Sequence, residues 1–224
     1  MPLGRFRFIK TIILSSLLAC TSAFASDDNQ QRKTFFEAEN QVWNASSATY
    51  QNLYQQLHYY PLQPYLDQKR LMTKMNLSSA TEISKFLTKY EGTPLDWPLR
   101  KKWLAYLAKR KEAVLFQTFF KPTSNVELTC QHYRFELETG VTPTRVLPKV
   151  SALWLVGKSQ PKVCDPLFKK WQQAGYRTDD LIWQRIVLAA DGGKHSLIPY
   201  LTKLLPEKEQ NLARIWHKVR RDPA

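Results

Sequence analysis

Apolar residues recur at helical spacing through most of the chain. Four segments show the pattern clearly, with apolar positions at i, i+3 or i+4, and i+7 and polar residues between them. These segments are 50–57, 83–90, 197–205 and 212–219. Strand-like alternation is nearly absent, and the one ambiguous run, 150–156, is interpreted as helix from its neighbours. The pattern therefore predicts an all-α protein.

Proline and glycine occur where such helices would begin and end. Pro64, Pro98 and Pro166 lie where a first helical turn is expected, a place where a missing N–H is tolerated. Glycines at 92, 140, 175 and 192–193 follow periodic segments, as C-terminal caps do. The helices predicted from these limits are short and are joined by short connections.

From residue 126 onward the predicted helices fall into pairs. The pairs are 126–139 with 144–155, 165–174 with 179–190, and 193–204 with 207–219. A repeat of about 30 residues is typical of α-solenoids, in which each helix pair buries its apolar face against its neighbours. We therefore predict an α-superhelix, or solenoid, of short antiparallel helix pairs. A compact irregular helical domain is the alternative.

The last of these helices carries an apolar stripe formed by Leu212, Ile215, Trp216 and Val219. A solenoid normally ends in a helix with a polar outer face. We therefore expect residues 26–224 to form one α-superhelical domain that is incomplete at its C-terminal end.

The first 25 residues resemble a secretory signal peptide. Basic residues precede a short apolar run at 11–20, and the small residues Ala23 and Ala25 then provide a cleavage site. We therefore predict residues 1–25 to be a signal peptide and the mature protein to be exported. Lipidation of Cys20, after a lipobox-like Leu-Leu-Ala at 17–19, is a less favoured alternative.

Composition excludes several other classes. The 43% of hydrophobic residues is enough for a packed core, which excludes wholesale disorder. No apolar run reaches the roughly 18 residues that span a bilayer, so we predict no transmembrane helix. The formal charge of +14 includes basic clusters at 100–102, 109–111 and 218–221. These clusters could attract nucleic acid, but export disfavours it, and anionic envelope polymers fit a basic exported protein better.

Residues that could carry chemistry are scattered. The four histidines show no metal-ligand spacing, and no Gly-x-Ser-x-Gly motif is present. Close carboxylate pairs lie at 37/39, 136/138 and 179/180. The pair 136/138 points to different sides of a helix, and the pair 179/180 lies in a helix first turn, where acidic residues favour the helix dipole. We therefore predict no catalytic residue, no cofactor-binding residue and no metal site.

Cys130 and Cys164 are the cysteines that remain after the predicted cleavage. An even pair in an exported protein favours a disulfide, which we predict. Two unpaired buried thiols are one alternative. A zinc site that includes His132 is another, disfavoured because a single residue separates His132 from Cys130 and no fourth ligand is evident.

One stretch carries a specific motif. It has Trp-Leu-Val-Gly-Lys-Ser-Gln-Pro at 154–161 and Cys-Asp-Pro-Leu-Phe at 164–168, followed by Trp171 and Gly175. Tyr-Pro-Leu-Gln-Pro-Tyr-Leu occurs earlier, at 60–66. These elements resemble the N-terminal part of the soluble lytic murein transglycosylases, across most of residues 30–220.

The resemblance implies a fold, a compartment and a substrate. Members of that family are periplasmic enzymes that cleave the glycan of peptidoglycan and leave an anhydro sugar, with neither metal nor cofactor. Their N-terminal part is an all-helical superhelix, the U domain, in which a cysteine corresponds to Cys130. The resemblance implies that this chain is periplasmic and that its partner is peptidoglycan glycan or a cell-wall enzyme.

The catalytic part of that family has no counterpart in this sequence. A separate C-terminal domain of the family carries a catalytic Glu in a Glu-Ser pair, followed by Gly-Leu-Met-Gln and Ala-Tyr-Asn-Ala-Gly. No Glu here precedes Ser, no Gly-Leu-Met-Gln occurs, and Ala105-Tyr106 continues with Leu107. We therefore predict a chain that is inactive alone, either a truncated or split gene product or a fragment.

The predicted function is a non-catalytic helical module of a periplasmic lytic transglycosylase that binds glycan or positions an enzyme. Two alternatives remain: an enzyme in its own right, and a periplasmic helical scaffold that binds a protein partner.

Overall fold

The computed structural model describes residues 28–222. The predicted signal peptide, with Cys20, Ala23 and Ala25, lies outside these residues. Within them all regular structure is helical, with twelve α-helices, four 3-10 turns and no strand, so the prediction of an all-α protein is confirmed. No helix in residues 28–222 combines the length and the apolar character needed to cross a membrane.

The chain divides into two compact units, the first ending at Trp103 and the second beginning at Leu104. Helix α5 (Asp96–Arg110) contains this boundary. The other helices of the first unit are α1 (residues 28–41), α2 (Ala48–Gln56), α3 (Gln63–Thr73) and α4 (Ala80–Lys89). Those of the second are α6 (Ala113–Phe119), α7 (Val126–Glu138), α8 (Pro143–Trp154), α9 (Asp165–Gln173), α10 (Asp179–Asp191), α11 (Ile198–Thr202) and α12 (Glu207–Arg221).

The core of the first unit is aromatic. The predicted stripe positions Tyr50 and Leu57 are buried beside Phe35 and Tyr60. The Ser47 side chain accepts a hydrogen bond from the Tyr50 N–H, which satisfies a free donor where α2 begins. Helix α2 therefore begins at a polar cap and buries the face that the periodicity predicts.

The second unit is built around one large apolar cluster. Side chains from α7 to α12 contribute to it, and Trp171, Leu167 and Ile186 are completely buried. A disulfide between Cys130 in α7 and Cys164 in the 3-10 turn Lys162–Cys164 lies within the cluster, with an S–S distance of 2.04 Å. The zinc site considered from the sequence is therefore wrong, because these two sulfur atoms are bonded to each other.

Most predicted helix limits in the second unit are close to the observed ones. Gly140 and Gly175 have positive φ just after α7 and α9, as expected for C-terminal glycines. The predicted helix 193–204 is wrong: a 3-10 turn (His195–Leu197) precedes the five-residue α11. Pro199 is tolerated only near a helix start, so the α-helix begins beside it rather than upstream.

Candidate functional site

The second unit has a cavity of about 490 Å³ beside α8, α9, α10 and α11. Ligand pockets in proteins commonly have volumes of about 300–1,000 Å³. Aromatic side chains form much of its wall: Trp154, Phe168, Trp171 and Tyr200. Most of the other lining residues come from the stretch 154–175, which is the stretch that carries the family motif.

Trp154 and Trp171 are held in place from several sides. Their ring centroids are 5.4 Å apart, and the exposed fractions are 5% and 0%. The Trp171 indole N–H donates to the Ser151 hydroxyl over 3.1 Å, which satisfies the one polar atom of that buried ring. These two side chains therefore form a rigid part of the cavity wall.

The loop 155–161 between α8 and the next 3-10 turn forms the second part of the wall. The Gln160 amide donates to the carbonyl oxygen of Leu153 over 2.5 Å, and the loop then leads into Cys164 and the disulfide. Gly157 lies so close to α10 that an added Cβ would be 2.2 Å from the carbonyl oxygen of Leu188. The glycine of the motif therefore permits close backbone contact between this loop and α10.

Arg185 is the unusual residue of the cavity. Only 5% of it is exposed, although it lines the cavity from α10. Its guanidinium carbon lies 4.4 Å from the centroid of the Trp154 ring, and its Nη2 donates to the Lys158 carbonyl oxygen over 3.0 Å. Its buried Nε has no hydrogen-bond partner. Burial lowers the pKa of this guanidinium below its usual value, and Tyr200 opposes that change.

The charged groups of the lining are mainly basic. Arg177 and Lys169 lie on the cavity together with Arg185, and Asp165 at the start of α9 is the acidic residue among the lining groups. Three cations against one carboxylate give the cavity a positive local charge. With its aromatic walls, the cavity can bind an anionic ligand that has an apolar or ring-shaped body.

The structure places the other candidate groups in local contacts. Glu136 lies 3.7 Å from His132, and Glu138 lies 3.7 Å from Arg134 one turn away. Asp180 accepts a hydrogen bond from Gln184. Among residues 28–222, no group of three or more His, Cys, Asp or Glu side chains is arranged to hold a metal ion.

Two histidines that are far apart in sequence come together. His195 Nδ1 and His217 Nε2 are 3.2 Å apart, and burial together with His195 and Arg221 lowers the pKa of His217. Their separation of 22 residues matches no helical or metal-ligand spacing, so this contact could not be predicted from the sequence.

The basic clusters differ from a continuous cationic face. Arg100 is 5% exposed, and its side chain forms an ion pair with the buried Asp96 in α5, with Nε 2.6 Å from Oδ1. Arg220 bonds to Asp191 over 2.6 Å. In the clusters 100–102 and 218–221, one arginine each is therefore paired with a carboxylate of the same fold. This pairing leaves less free positive charge and weakens the nucleic-acid interpretation.

Helix α12 exposes much of the stripe seen in the sequence. Leu212, Ile215 and Val219 are each more than half exposed, whereas Trp216 packs against the core. The stripe is thus an apolar surface of the second unit.

We expect Gly157→Ala to destabilise the chain by about 1–3 kcal/mol, because the new Cβ would collide with a backbone carbonyl rather than with a movable side chain. Urea unfolding followed by tryptophan fluorescence would measure the loss. Gly192→Ala is a matched control, because its Cβ would lie 3.2 Å from the same Leu188 oxygen and its φ of −80° suits alanine. Equal urea midpoints for the two variants would contradict the close contact between Gly157 and the Leu188 carbonyl oxygen.

The known proteins that the sequence matches over most of its length are soluble lytic murein transglycosylases. The chain is 28% identical over 210 residues to the soluble lytic murein transglycosylase of Salmonella typhimurium, covering 92% of this chain and 32% of that protein. The Escherichia coli K12 enzyme is 26% identical over 200 residues, covering 88% and 31%. A family model described as Cucumovirus coat protein matches residues 134–220, which is less than half of the chain.

Solved structures agree with these relatives. The 70 kDa soluble lytic transglycosylase of Escherichia coli matches with a TM-score of 0.71 and 25% identity, over 87% of this chain and 32% of that one. An inactive mutant of the lytic transglycosylase Slt from Pseudomonas aeruginosa matches with a TM-score of 0.70 and 32% identity, over 85% and 31%.

The match confirms the predicted fold class, an all-α arrangement of short helix pairs of the superhelical U-domain type. The chain spans about one third of the length of the relatives that it matches. Over about nine tenths of its own length, this chain is thus a relative of the soluble lytic murein transglycosylases.

Proposed function

We propose that this chain is a non-catalytic helical module that binds the glycan of peptidoglycan in the periplasm. The observation that carries the proposal is the similarity to soluble lytic murein transglycosylases over 92% of the chain, since murein is peptidoglycan. The basic, aromatic cavity supports it, because the stretch with the family motif lines that cavity. Aromatic faces and cationic groups suit a sugar polymer that carries negative charge.

The proposed module binds without cleaving. The sequence has no Glu-Ser pair, the element in which the related family carries its catalytic acid. Glycan cleavage by a carboxyl group requires a raised pKa. The described carboxyl group with a raised pKa is Asp67, half-buried beside Tyr54 and Arg70 in the first unit, outside the motif-lined cavity.

Co-sedimentation with purified sacculi tests the proposal. We expect the purified chain to pellet with sacculi at low salt and to be released as ionic strength rises, because screening weakens attraction between exposed charges. The same incubation should release no anhydro-muropeptides, with intact Escherichia coli soluble lytic murein transglycosylase as the positive control. If the chain stays in the supernatant at low salt, the proposed binding role is wrong. If anhydro-muropeptides are released, the proposal that the chain is non-catalytic is wrong.

A second candidate function is a scaffold for a cell-wall enzyme, and the exposed stripe on α12 favours it. Intact Escherichia coli soluble lytic murein transglycosylase would serve as the partner in a surface-binding measurement. A Leu212→Ser/Ile215→Ser variant should then lose enzyme binding and keep sacculus binding. If the intact enzyme does not bind the unmodified chain, this candidate is wrong for that partner.

A further inference from the structure

A positive charge is buried at the cavity without a negative charge to balance it. In the part of the chain that the structure describes, Arg185 has no carboxylate within the 4.0 Å of an ion pair. Its guanidinium donates one hydrogen bond to a backbone carbonyl and lies against one indole face, and its Nε has no hydrogen-bond partner. Buried charges in proteins are normally paired, because removing an ion from water is costly. The missing counter-charge indicates a place for an anion.

The surroundings of Arg185 limit the kind of anion. The guanidinium lies against Trp154, and Trp171, Phe168 and Tyr200 continue the aromatic lining of the same cavity. A small inorganic ion would leave most of the cavity of about 490 Å³ empty. A ligand with an acidic group attached to a ring would satisfy the cation and cover the aromatic faces together.

The neighbouring polar groups suit a sugar. Ser159 and Gln160 line the cavity and offer hydroxyl and amide groups that can bond to sugar hydroxyl or acetamido groups. Arg177 lines the same cavity and provides a second cation for the ligand. Asp165, the first residue of α9, also lines it and would repel a ligand with excess negative charge. This composition favours a singly charged sugar acid over a polyphosphate.

We propose that this cavity binds a sugar carrying a carboxylate, with the guanidinium of Arg185 pairing with that carboxylate and the more exposed rings of Phe168 and Tyr200 supporting the sugar ring. The inference rests on the proposed binding of peptidoglycan, in which every second sugar is N-acetylmuramic acid. The lactyl group of this sugar has a free carboxylate where the glycan carries no stem peptide, so the recognised form is glycan without stem peptides. It names the part of the glycan that is recognised and the residue that recognises it.

Titration of the isotope-labelled chain, followed through the indole N–H signals of Trp154 and Trp171, tests the inference. The probes are N-acetylmuramic acid, N-acetylglucosamine, which lacks the lactyl carboxylate, and D-alanyl-D-alanine, which carries a carboxylate on a peptide. We expect N-acetylmuramic acid to bind at least about tenfold more tightly than N-acetylglucosamine, as for a hydrogen bond to a charged group. Tighter binding of the dipeptide than of N-acetylmuramic acid would place the recognised carboxylate on the peptide and overturn the proposal.

Arg185→Gln should remove the preference, so that the two sugars bind within about twofold of each other. Arg145→Gln is the matched control, because it removes the same charge from an exposed position on α8 in the same unit. If Arg185→Gln does not fold, Arg177→Gln is the variant that tests the proposal. We expect it to bind N-acetylmuramic acid more weakly and N-acetylglucosamine with unchanged affinity. Equal binding of the two sugars by the unmodified chain would overturn the proposal without any variant.

The two proposals fail in different ways. If the chain pellets with sacculi but does not prefer N-acetylmuramic acid, the cavity proposal is wrong and the binding module stands. If the preference is found but sacculi do not retain the chain, the cavity is a sugar-acid site and the peptidoglycan-binding role is wrong.

Discussion

Removing the disulfide between Cys130 and Cys164 is expected to lower the free energy of unfolding by about 3–4 kcal/mol. The bond closes a loop of 34 residues, and the chain-entropy model gives about this value for a loop of that length. Both cysteines are completely buried, so the bond also lies where packing is tight. Urea unfolding with and without a reductant would measure the difference.

A Cys130→Ser/Cys164→Ser variant is the control for this measurement. Its stability should match that of the reduced chain, apart from a small cost of two buried hydroxyl groups, and the reductant should not change it further. A reductant effect of the same size on the variant would show that another part of the chain is responsible. No change on reduction of the unmodified chain would contradict the stabilising role.

Trp171→Ala is expected to destabilise the chain by about 3–5 kcal/mol, the usual range when a buried Trp is truncated. The side chain is 0% exposed, packs on Trp154 and donates to Ser151. Its loss would leave both a void and an unpaired hydroxyl beside the cavity. Thermal and urea unfolding followed by circular dichroism would report the change.

Trp43→Ala provides the comparison for the Trp171 result. Trp43 is 60% exposed, so the same chemical truncation should cost well under about 1 kcal/mol there. Similar losses in the two variants would mean that Trp171 does not anchor the second unit.

Helix positions could be predicted because burial and periodicity agree in this chain. Helix α10 illustrates this, since Ile182, Ile186 and Ala189 recur at helical spacing and all are buried. The short α11 could not be predicted from the leucines at 197–205, because their spacing is also compatible with a longer helix. Pro199 sets where α11 begins because it lacks an N–H, and the apolar pattern contains no information on this local effect.

The cavity could not be predicted from the sequence, although one residue of the sequence indicated it. Arg185 lies between Ile182 and Ala189 at a position where the α10 pattern expects an apolar side chain. A cation at a core position indicates either a buried partner or a ligand. Deciding between them requires knowing which elements surround the residue, and Trp154 and Lys158 are 31 and 27 positions away along the chain.

The sulfur link between α7 and the turn before α9 also connects ligand binding to the chemistry of the surrounding compartment. Asp165 and Phe168 follow directly after Cys164, so the same bond that joins the two elements holds one side of the cavity in place. Where glutathione and thioredoxin keep thiols reduced, this side would lack that restraint and would be held by packing alone. A newly made chain would therefore gain the last fixed point of the pocket only once it has been oxidised, which would separate synthesis of the protein from its first encounter with sugar.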